Sequence, residues 1–491
     1  MLHRYIMDSA GIPNALLYAI NSIAGVSTNS FKVVSSSAGD EVSSGGRFSF
    51  MLPSVGLLDT KTSKITFSVK TTGAGTRLPK YATSLIDQIV VRMGGVTVSQ
   101  SQSGLYGVWN TIQEETGQTH QNEIAGHREC LATMKSDGLI LTADGNESYH
   151  EGIGATSALF EVDLGEFAQC HPRILDLSLL PQVSIEVVLA GTAVLSAPKD
   201  STKLRGQDDA VCKVNTVTSL GWSMLRPTLQ ANMYSLMSGA YENSLRARME
   251  QTGFLQVCMP NTVSFSQAFS GSARFSISAM SLNKLTTVFR RKAFATAQGF
   301  IPLAGYAGLA LTEATMNQVG GGANGTTKQG IARYQGAFQQ FSLPTIVPAH
   351  NEDKGKSTAG NDAMDYGNDD ILTPVTLQYA IQSALVPQYP CDQAEMMNLT
   401  CWANNIDSLP DCKSHAEYFY NKCIFAFPLN LPSEAHDRCT LSGLSTVGAN
   451  AFVEVKGAGG NLDTSNYDCI TFATTTSILR IGSGKAIELI S

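Results

Sequence analysis

Ile89-Val90-Val91-Arg92-Met93-Gly94-Gly95-Val96-Thr97-Val98 is the stretch that decides the fold. Apolar residues alternate on both sides of the glycine pair, with Ile89 and Val91 before it and Val96 and Val98 after it. Two such runs around a two-residue glycine turn predict a β-hairpin, because glycine adopts the positive φ angles that tight hairpin turns require. We therefore expect antiparallel strands in this part of the chain.

The same alternation occurs in both halves of the sequence. In residues 65–70, Ile-Thr-Phe-Ser-Val-Lys, every second residue is apolar, which is the period of a strand with one buried face. Further stretches that predict strands are residues 183–189, 211–220, 263–265, 275–277, 282–289, 423–431, 451–455, 469–472, 478–481 and 486–490. Short strands separated by Gly, Pro and Asn turns indicate an all-β sandwich or barrel.

Length and composition agree with two such domains. The chain has 491 residues, more than one hydrophobic core usually supports, and two sandwiches of about 200 residues each fit. Charged residues make up 15% of the chain and the formal net charge is −7, so the sequence has no general attraction for phosphate. No apolar stretch approaches the length of a membrane span, and we expect a soluble protein.

The predicted organisation has four parts. Residues 1–30 form an N-terminal arm with a helix, 31–225 a first sandwich, 226–250 a helical connector and 251–491 a second sandwich. The helix of the arm has Ile12, Leu16, Leu17, Ile20 and Ile23 on one face, and the connector has Tyr234, Met237, Tyr241 and Leu245 at spacings of three or four. The apolar face of the arm either packs beneath its own first domain or contacts a neighbouring subunit.

Other segments interrupt the predicted strands. Leu105, Val108, Trp109 and Ile112 fit a short helix that covers an open end of the first sandwich. Residues 117–154, 295–335 and 350–415 are predicted to be long loops, which in compact domains usually carry variable surface features.

The ten cysteines do not form a recognisable metal or disulfide pattern. No Cys-x-x-Cys pair occurs, and we expect small buried thiols in a reduced compartment. Cys401, Cys412 and Cys423 repeat every 11 residues, but structural zinc sites use close pairs. His120 and His127 could share a helix face, although no further ligands accompany them.

Motifs for catalysis and nucleotide binding are incomplete. Gly355-Lys356-Ser357 lacks the first glycine and preceding strand of a phosphate loop, and residues 320–325 match a dinucleotide fingerprint without a strand before or a helix after them. Adjacent carboxylates at Glu114-Glu115, Asp208-Asp209 and Asp369-Asp370 do not face each other and are interpreted as solvated surface. We predict no catalytic, cofactor-binding or metal-binding residues, and no enzyme activity.

The order of several segments is similar to a known family. The segments are residues 45–53, 56–59, 64–71, 84–95, 175–181, 282–290 and 441–446. Together they resemble double jelly-roll major capsid proteins of polinton-like viruses and virophages, and more distantly those of large nucleocytoplasmic viruses and membrane-containing phages. The resemblance extends over residues 31–490.

This resemblance implies a structural role in a virion. It implies homotrimers in which each chain supplies two upright jelly rolls, so that pseudo-hexagonal units tile an icosahedral shell of a double-stranded DNA virus. The implied partners are the chain itself, neighbouring trimers, and penton and minor capsid proteins, with an internal membrane left open and no sequence-specific binding of nucleic acid. Assembly is expected inside the host cell.

Two alternatives remain at this point. One is a minor capsid or spike protein of the same kind of virus. The other is a carbohydrate-binding or hydrolytic protein made of tandem jelly rolls, because that fold hosts many functions. The second alternative requires clustered aromatic residues and opposed carboxylates, whereas Trp109, Trp222 and Trp402 are far apart in the sequence.

Overall fold

The structure is a computed structural model, and it describes most of two β-rich halves. The described residues are 26–35, 39–72, 79, 81–100, 104–116, 139–141, 147–149, 160–195, 221–236, 240–292, 300–302, 334–336, 341–345, 375–382, 384–409, 418, 422–431, 441–447, 452–460 and 462–490. The predicted arm helix at residues 12–25 and the predicted strand at 211–220 lie outside them.

The first half contains two antiparallel sheets. The strands of the larger sheet are β1 (Val26–Val34), β2 (Glu41–Ser43), β4 (Leu57–Asp59), β5 (Lys64–Thr72), β10 (Phe160–Val162), β11 (Ile174–Asp176) and β13 (Gly221–Leu236). Its order is β10-β5-β13-β4-β11, and β1 and β2 also pair with β13. The smaller sheet contains β3 (Arg47–Met51), β6 (Ile86–Met93), β7 (Val96–Gln100) and β12 (Val183–Leu189), in the order β3-β12-β6-β7.

The predicted hairpin is confirmed as β6 and β7. Gly94 and Gly95 form its turn with φ angles of 56° and 86°, in the region that favours glycine. Alternate residues of the strands face a shared core, in which Phe48, Phe67 and Ile185 are fully buried or nearly so. The period-2 pattern of the sequence therefore corresponds to the two faces of each strand.

The second half repeats this construction. One sheet contains β14 (Phe254–Ala268), β16 (Leu282–Arg291), β21 (Ile424–Pro428), β23 (Tyr467–Gly482) and β24 (Ile487–Ile490); the other contains β15 (Ser272–Ser276), β19 (Thr376–Ile381), β20 (Ala384–Cys391) and β22 (Phe452–Ala458). Their orders are β14-β23-β16-β21, with β24 beside β23, and β15-β22-β19-β20. Separate short pairs are β8 (Leu139–Leu141) with β9 (Glu147–Tyr149), and β17 (Phe300–Pro302) with β18 (Tyr334–Gly336).

Both halves have one topology. If β1 and β2, β4 and β5, and β10 and β11 are each counted as one interrupted strand, each half has eight principal strands in chain order. In both halves the first, eighth, third and sixth strands form one sheet in that order, and the second, seventh, fourth and fifth form the other. Two facing sheets of this kind are a jelly roll. The predicted all-β class with two tandem jelly rolls is confirmed.

The described residues include three α-helices: α1 (Tyr106–Glu115), α2 (Ala240–Thr252) and α3 (Gln393–Asn404). The predicted helix over residues 226–250 is wrong up to Leu236, because β13 continues to that residue and buries Leu229, Ala231 and Met233 at every second position. The helix begins only at Ala240. None of the helices in the described part of the chain is long and apolar enough to cross a membrane.

The predicted loop over residues 350–415 is also wrong in its second part. This part contains β19, β20 and α3, and α3 begins at a capping box in which Asp392 and Glu395 each bond the backbone N–H of the other. The spacing Asp-x-x-Glu is typical of a capping box and indicates the beginning of a helix. Within the predicted loops 117–154 and 295–335, the described residues include only the short pairs β8–β9 and β17–β18.

Replacing Gly94 by alanine should destabilise the first half. A Cβ at this position would lie 2.9 Å from Cβ of Pro181, and the positive φ adds strain. We expect Gly94→Ala to lower the free energy of unfolding in urea by about 1–3 kcal/mol. Gly191→Ala is the matched control, because nothing lies within 4 Å of its added Cβ and its φ is −72°. Equal stability of the two variants would contradict the turn geometry.

Candidate assembly interface

Helix α1 joins the two jelly rolls. Its residues Val108, Trp109 and Ile112 are buried against an apolar surface of the second half. That surface consists of Val288, Phe341, Ile424, Ile470 and Phe472. The ring centroids of Trp109 and Phe472 are 5.0 Å apart. The helix predicted at residues 105–112 is therefore confirmed, and it contacts the neighbouring sandwich as well as its own.

Helix α1 can pack against the second half because one sheet of that half is apolar on both faces. In β23, Cys469 and Ala473 face the core of the sandwich, whereas Ile470 and Phe472 face α1. Strands buried on both faces read as continuous apolar runs instead of alternating ones. In β16, Leu285 and Phe289 likewise face the core of the sandwich, whereas Val288 faces α1.

A buried ion pair lies beside the apolar contact. The Nζ atom of Lys422 is 2.8 Å from Oε2 of Glu115, and the side chains are only 6% and 4% exposed. The Tyr81 hydroxyl donates a hydrogen bond of 2.9 Å to Oε1 of Glu115. The interpretation of Glu114-Glu115 as solvated surface is therefore wrong, because Lys422, far away in the sequence, compensates the buried charge of Glu115.

Further contacts connect the halves along β14. The carboxylate of Glu166, in the short helix Gly165–Gln169, accepts a hydrogen bond of 3.1 Å from the backbone N–H of Thr262. Burial raises the pKa of Glu166 to about 8. The backbones of His171 and Cys258 exchange two hydrogen bonds, of 2.7 Å and 2.8 Å. Apolar residues of β14 and β23 continue into the core of the first half, namely Val257, Met259, Leu479 and Ile481.

The described cysteines are mostly buried, with one departure from expectation. Cys170 and Cys469 are buried free thiols, and burial raises the pKa of Cys469 to about 12, so this thiol stays neutral. Cys258 is disulfide-bonded, and the expectation of uniformly reduced cysteines is wrong there. The sequence could not give this bond, because pairing depends on distances in the fold.

The cysteines, histidines, carboxylate pairs and glycine-rich segments considered in the sequence analysis do not form one site among the described residues. Cys401 lies on α3, Cys423 directly precedes β21, and Cys412 lies outside the described residues. The other segments outside them are residues 320–325 and 355–357, His120, His127, Asp208-Asp209 and Asp369-Asp370. Among the described residues, no group of three or more His, Cys, Asp or Glu side chains could hold a metal ion.

One cleft of about 310 Å³ opens between β14 and β15 of the second half. Phe265 and Phe275 stack in its wall with ring centroids 4.2 Å apart, and the described residues that line it include no carboxylate. The three tryptophans are not brought together: Trp109 lies between the halves, Trp222 in the first core, and Trp402 is exposed on α3. Along its described lining, this cleft therefore lacks the opposed carboxylates of a glycoside hydrolase.

Sequence comparison finds no matching family model and no matching curated protein. Solved structures do match. The crystal structure of PBCV-1 VP54, fitted into a cryo-EM reconstruction of the virophage Sputnik, aligns with a TM-score of 0.51 and 12% identity, over 97% of this chain and all of that one. The Faustovirus major capsid protein aligns with a TM-score of 0.51 and 8% identity, over 97% of this chain and 94% of that one.

The chain is a double jelly roll. The two matches extend over nearly the whole chain and include both sandwiches, so the predicted resemblance to double jelly-roll major capsid proteins is confirmed at the level of the fold. At such low identity, the likeness carries the fold alone. The function is therefore inferred from the contacts within the double jelly roll.

Removing Lys422 should destabilise the double jelly roll strongly. Lys422→Met leaves Glu115 buried without its counter-charge, and we expect a loss of about 3–5 kcal/mol in the free energy of unfolding. The double variant Glu115→Gln with Lys422→Met should lose less, because no uncompensated charge remains. Urea titration of both variants and of Lys485→Met, which alters a lysine near the chain end, provides the test. A loss no greater than that of Lys485→Met would refute a buried pair.

The stability of the protein should fall between about pH 4.5 and pH 8 because of Glu166. Its pKa is about 8 when folded against 4.5 in its ordinary state, so the folded form holds a proton that the unfolded chain has released in this window. Glu166→Gln removes this dependence, and its advantage over the wild type should grow by a few kcal/mol, roughly, up to pH 8 and then remain constant. Urea titrations across the pH range test this, with the exposed Glu488→Gln as control. A constant difference at every pH would contradict the burial of Glu166.

Proposed function

We propose that the chain is a major capsid protein whose homotrimers tile an icosahedral viral shell. The observation that supports this most is the pair of sandwiches with one topology, held side by side through α1. Three such chains can place six sandwiches around one axis, and a six-sided unit can cover a surface. In this role the protein is located in the virion shell and assembles inside the host cell.

The ionisable groups in the interior support a structural role. Glu115 pairs with Lys422, and Glu166 bonds Thr262, so each carboxylate connects one sandwich to the other. Neither group lines the cleft between β14 and β15. We therefore propose that the protein is not an enzyme and requires no cofactor.

We also propose the domain division and the partners. The sheets support a first sandwich that extends from β1 to the end of β13 at Leu236, a connector that contains α2, and a second sandwich from β14 to β24. This replaces the predicted boundaries at residues 31, 226 and 251. Penton and minor capsid proteins, and an internal membrane, are the partners that a shell of such units would meet.

A second candidate is a tandem jelly-roll protein that binds carbohydrate. The observation that favours it is the cleft beside β14, where Phe265 lies among Ser264, Ser266 and Gln267, since sugars bind to aromatic faces framed by polar groups. The cleft is uncharged along its described lining, which argues for binding without hydrolysis. No feature of the described residues favours the other alternative, a minor capsid or spike protein.

Analytical ultracentrifugation of the purified protein separates these proposals. We expect a discrete species of three times the chain mass of 52.3 kDa, because the shell requires trimers as its building units. A glycan array probed with the same preparation should give no selective signal. A protein that stays monomeric at every concentration and binds one class of glycan would overturn the capsid proposal in favour of the second candidate.

A further inference from the structure

Each jelly roll carries a helix at the same place in its topology. Helix α1 lies between the fifth strand, β7, and the sixth, β10; helix α3 lies between β20 and β21, the fifth and sixth strands of the second half. Their burial differs greatly. Nine of the ten residues of α1 are buried but only three of the twelve of α3, and Trp109 is 7% exposed whereas Trp402 is 59% exposed. The second half covers α1, and no described part of the chain covers the outer side of α3.

The uncovered side of α3 continues into an apolar surface, which we call the α3 patch. Its members are Trp402, Leu431, Leu441 and Leu444, with exposed fractions of 59%, 72%, 44% and 41%. The ring of Trp402 packs edge-on against Phe427 of β21 at 5.9 Å between centroids. The backbone N–H of Leu431 donates to Oγ of Ser442, which connects the two loops of the patch. Large exposed apolar side chains grouped in this way are typical of an interaction site.

A second unpartnered surface lies on the first half, at β1. This strand pairs along its full length with residues 228–236 of β13, and none of the described strands pairs with its other edge. Val33 points toward the core, so Val26 and Val34 lie on the outer face, where they are 49% and 70% exposed. An open edge with apolar side chains is a site that proteins usually cover.

We propose that the α3 patch of one copy packs against the outer face of the β1–β13 sheet of a second copy. The inference rests on the proposed function and names the contact that builds the trimer. Within one chain, α1 packs on the outer face of the sheet that contains β16, β21 and β23. The corresponding sheet of the first half contains β13 and β1, so α3 repeats between chains what α1 does within the chain.

The two surfaces differ from each other, so the contact is head-to-tail. A head-to-tail contact closes into a ring when its rotation fits a whole number of copies. In a trimer, three contacts through α1 then alternate with three contacts through α3 around six sandwiches. Such a ring leaves neither the α3 patch nor β1 open.

The outer faces of the two sheets differ in polarity, as expected if one forms a contact within the chain and the other a contact between chains. The surface that α1 covers is apolar, as suits a contact that forms once during folding. The outer face near β1 combines its valines with Lys32 and with Ser30, Gln230 and Asn232, which are linked by hydrogen bonds. A mixed surface of this kind is typical of contacts between chains that fold separately and must remain in solution before they meet.

The three tryptophans provide a direct test. Trp109 and Trp222 are 7% and 3% exposed, so quenching of fluorescence by acrylamide reports on Trp402. We expect a strongly quenched component in dissociated protein, its absence in Trp402→Phe, and its loss when the wild-type protein forms trimers. Trimers in which Trp402 remains as quenchable as in the dissociated chain would overturn the inference and leave the proposed function standing. Absence of trimers at any concentration would instead refute the proposed function, and the inference with it.

A set of variants measures the contact itself. Trp402→Asp and Val34→Asp should each raise the dissociation constant of the trimer at least about tenfold, because each places a charge in a desolvated contact. Val55→Asp is the matched control, since Val55 is 67% exposed and lies outside both surfaces. All three substitutions are at exposed sites, and circular dichroism should verify unchanged folding. Trimer affinity of Trp402→Asp or Val34→Asp equal to that of the control would overturn the proposal.

Discussion

The burial of helix α1 between two sandwiches is the contact on which the rest of the molecule depends. Val108, Trp109 and Ile112 remove apolar surface of both halves from water at once. The neighbouring ion pair of Glu115 and Lys422 determines how the two halves are oriented, because a buried charge is stable only where its counter-charge lies close to it. These contacts hold the two jelly rolls side by side within the chain.

A fixed pair of similar units suits the structural role that we propose. The halves share their strand order. In the proposed trimer, the contact that α1 makes within the chain therefore has a counterpart between chains. The difference lies in what each helix meets, since α1 is covered by its own chain and Trp402 on α3 is exposed. The proposed assembly extends an arrangement already present in the folded chain.

Several strands in which one face meets the core were readable from the sequence. The hairpin at Gly94-Gly95 and the alternation in β5 appear directly in the residues, because burial on one side imposes a period of two. The strands β19 and β20 were missed because they follow a segment rich in Gly, Asn and Asp, which resembles a loop. The contact between the halves was not predictable from the sequence. Glu115 and Lys422 are far apart in the chain, and only the folded structure brings them together as an ion pair.

In the proposed assembly, the two jelly rolls that α1 joins form the repeating element of a ring. A cryo-EM reconstruction of the purified oligomer tests it most directly. The account predicts six sandwiches around one axis, with Trp109 packed on Phe472 inside every chain. A reconstruction in which the two sandwiches of a chain are separated, with α1 exposed to solvent, would contradict it.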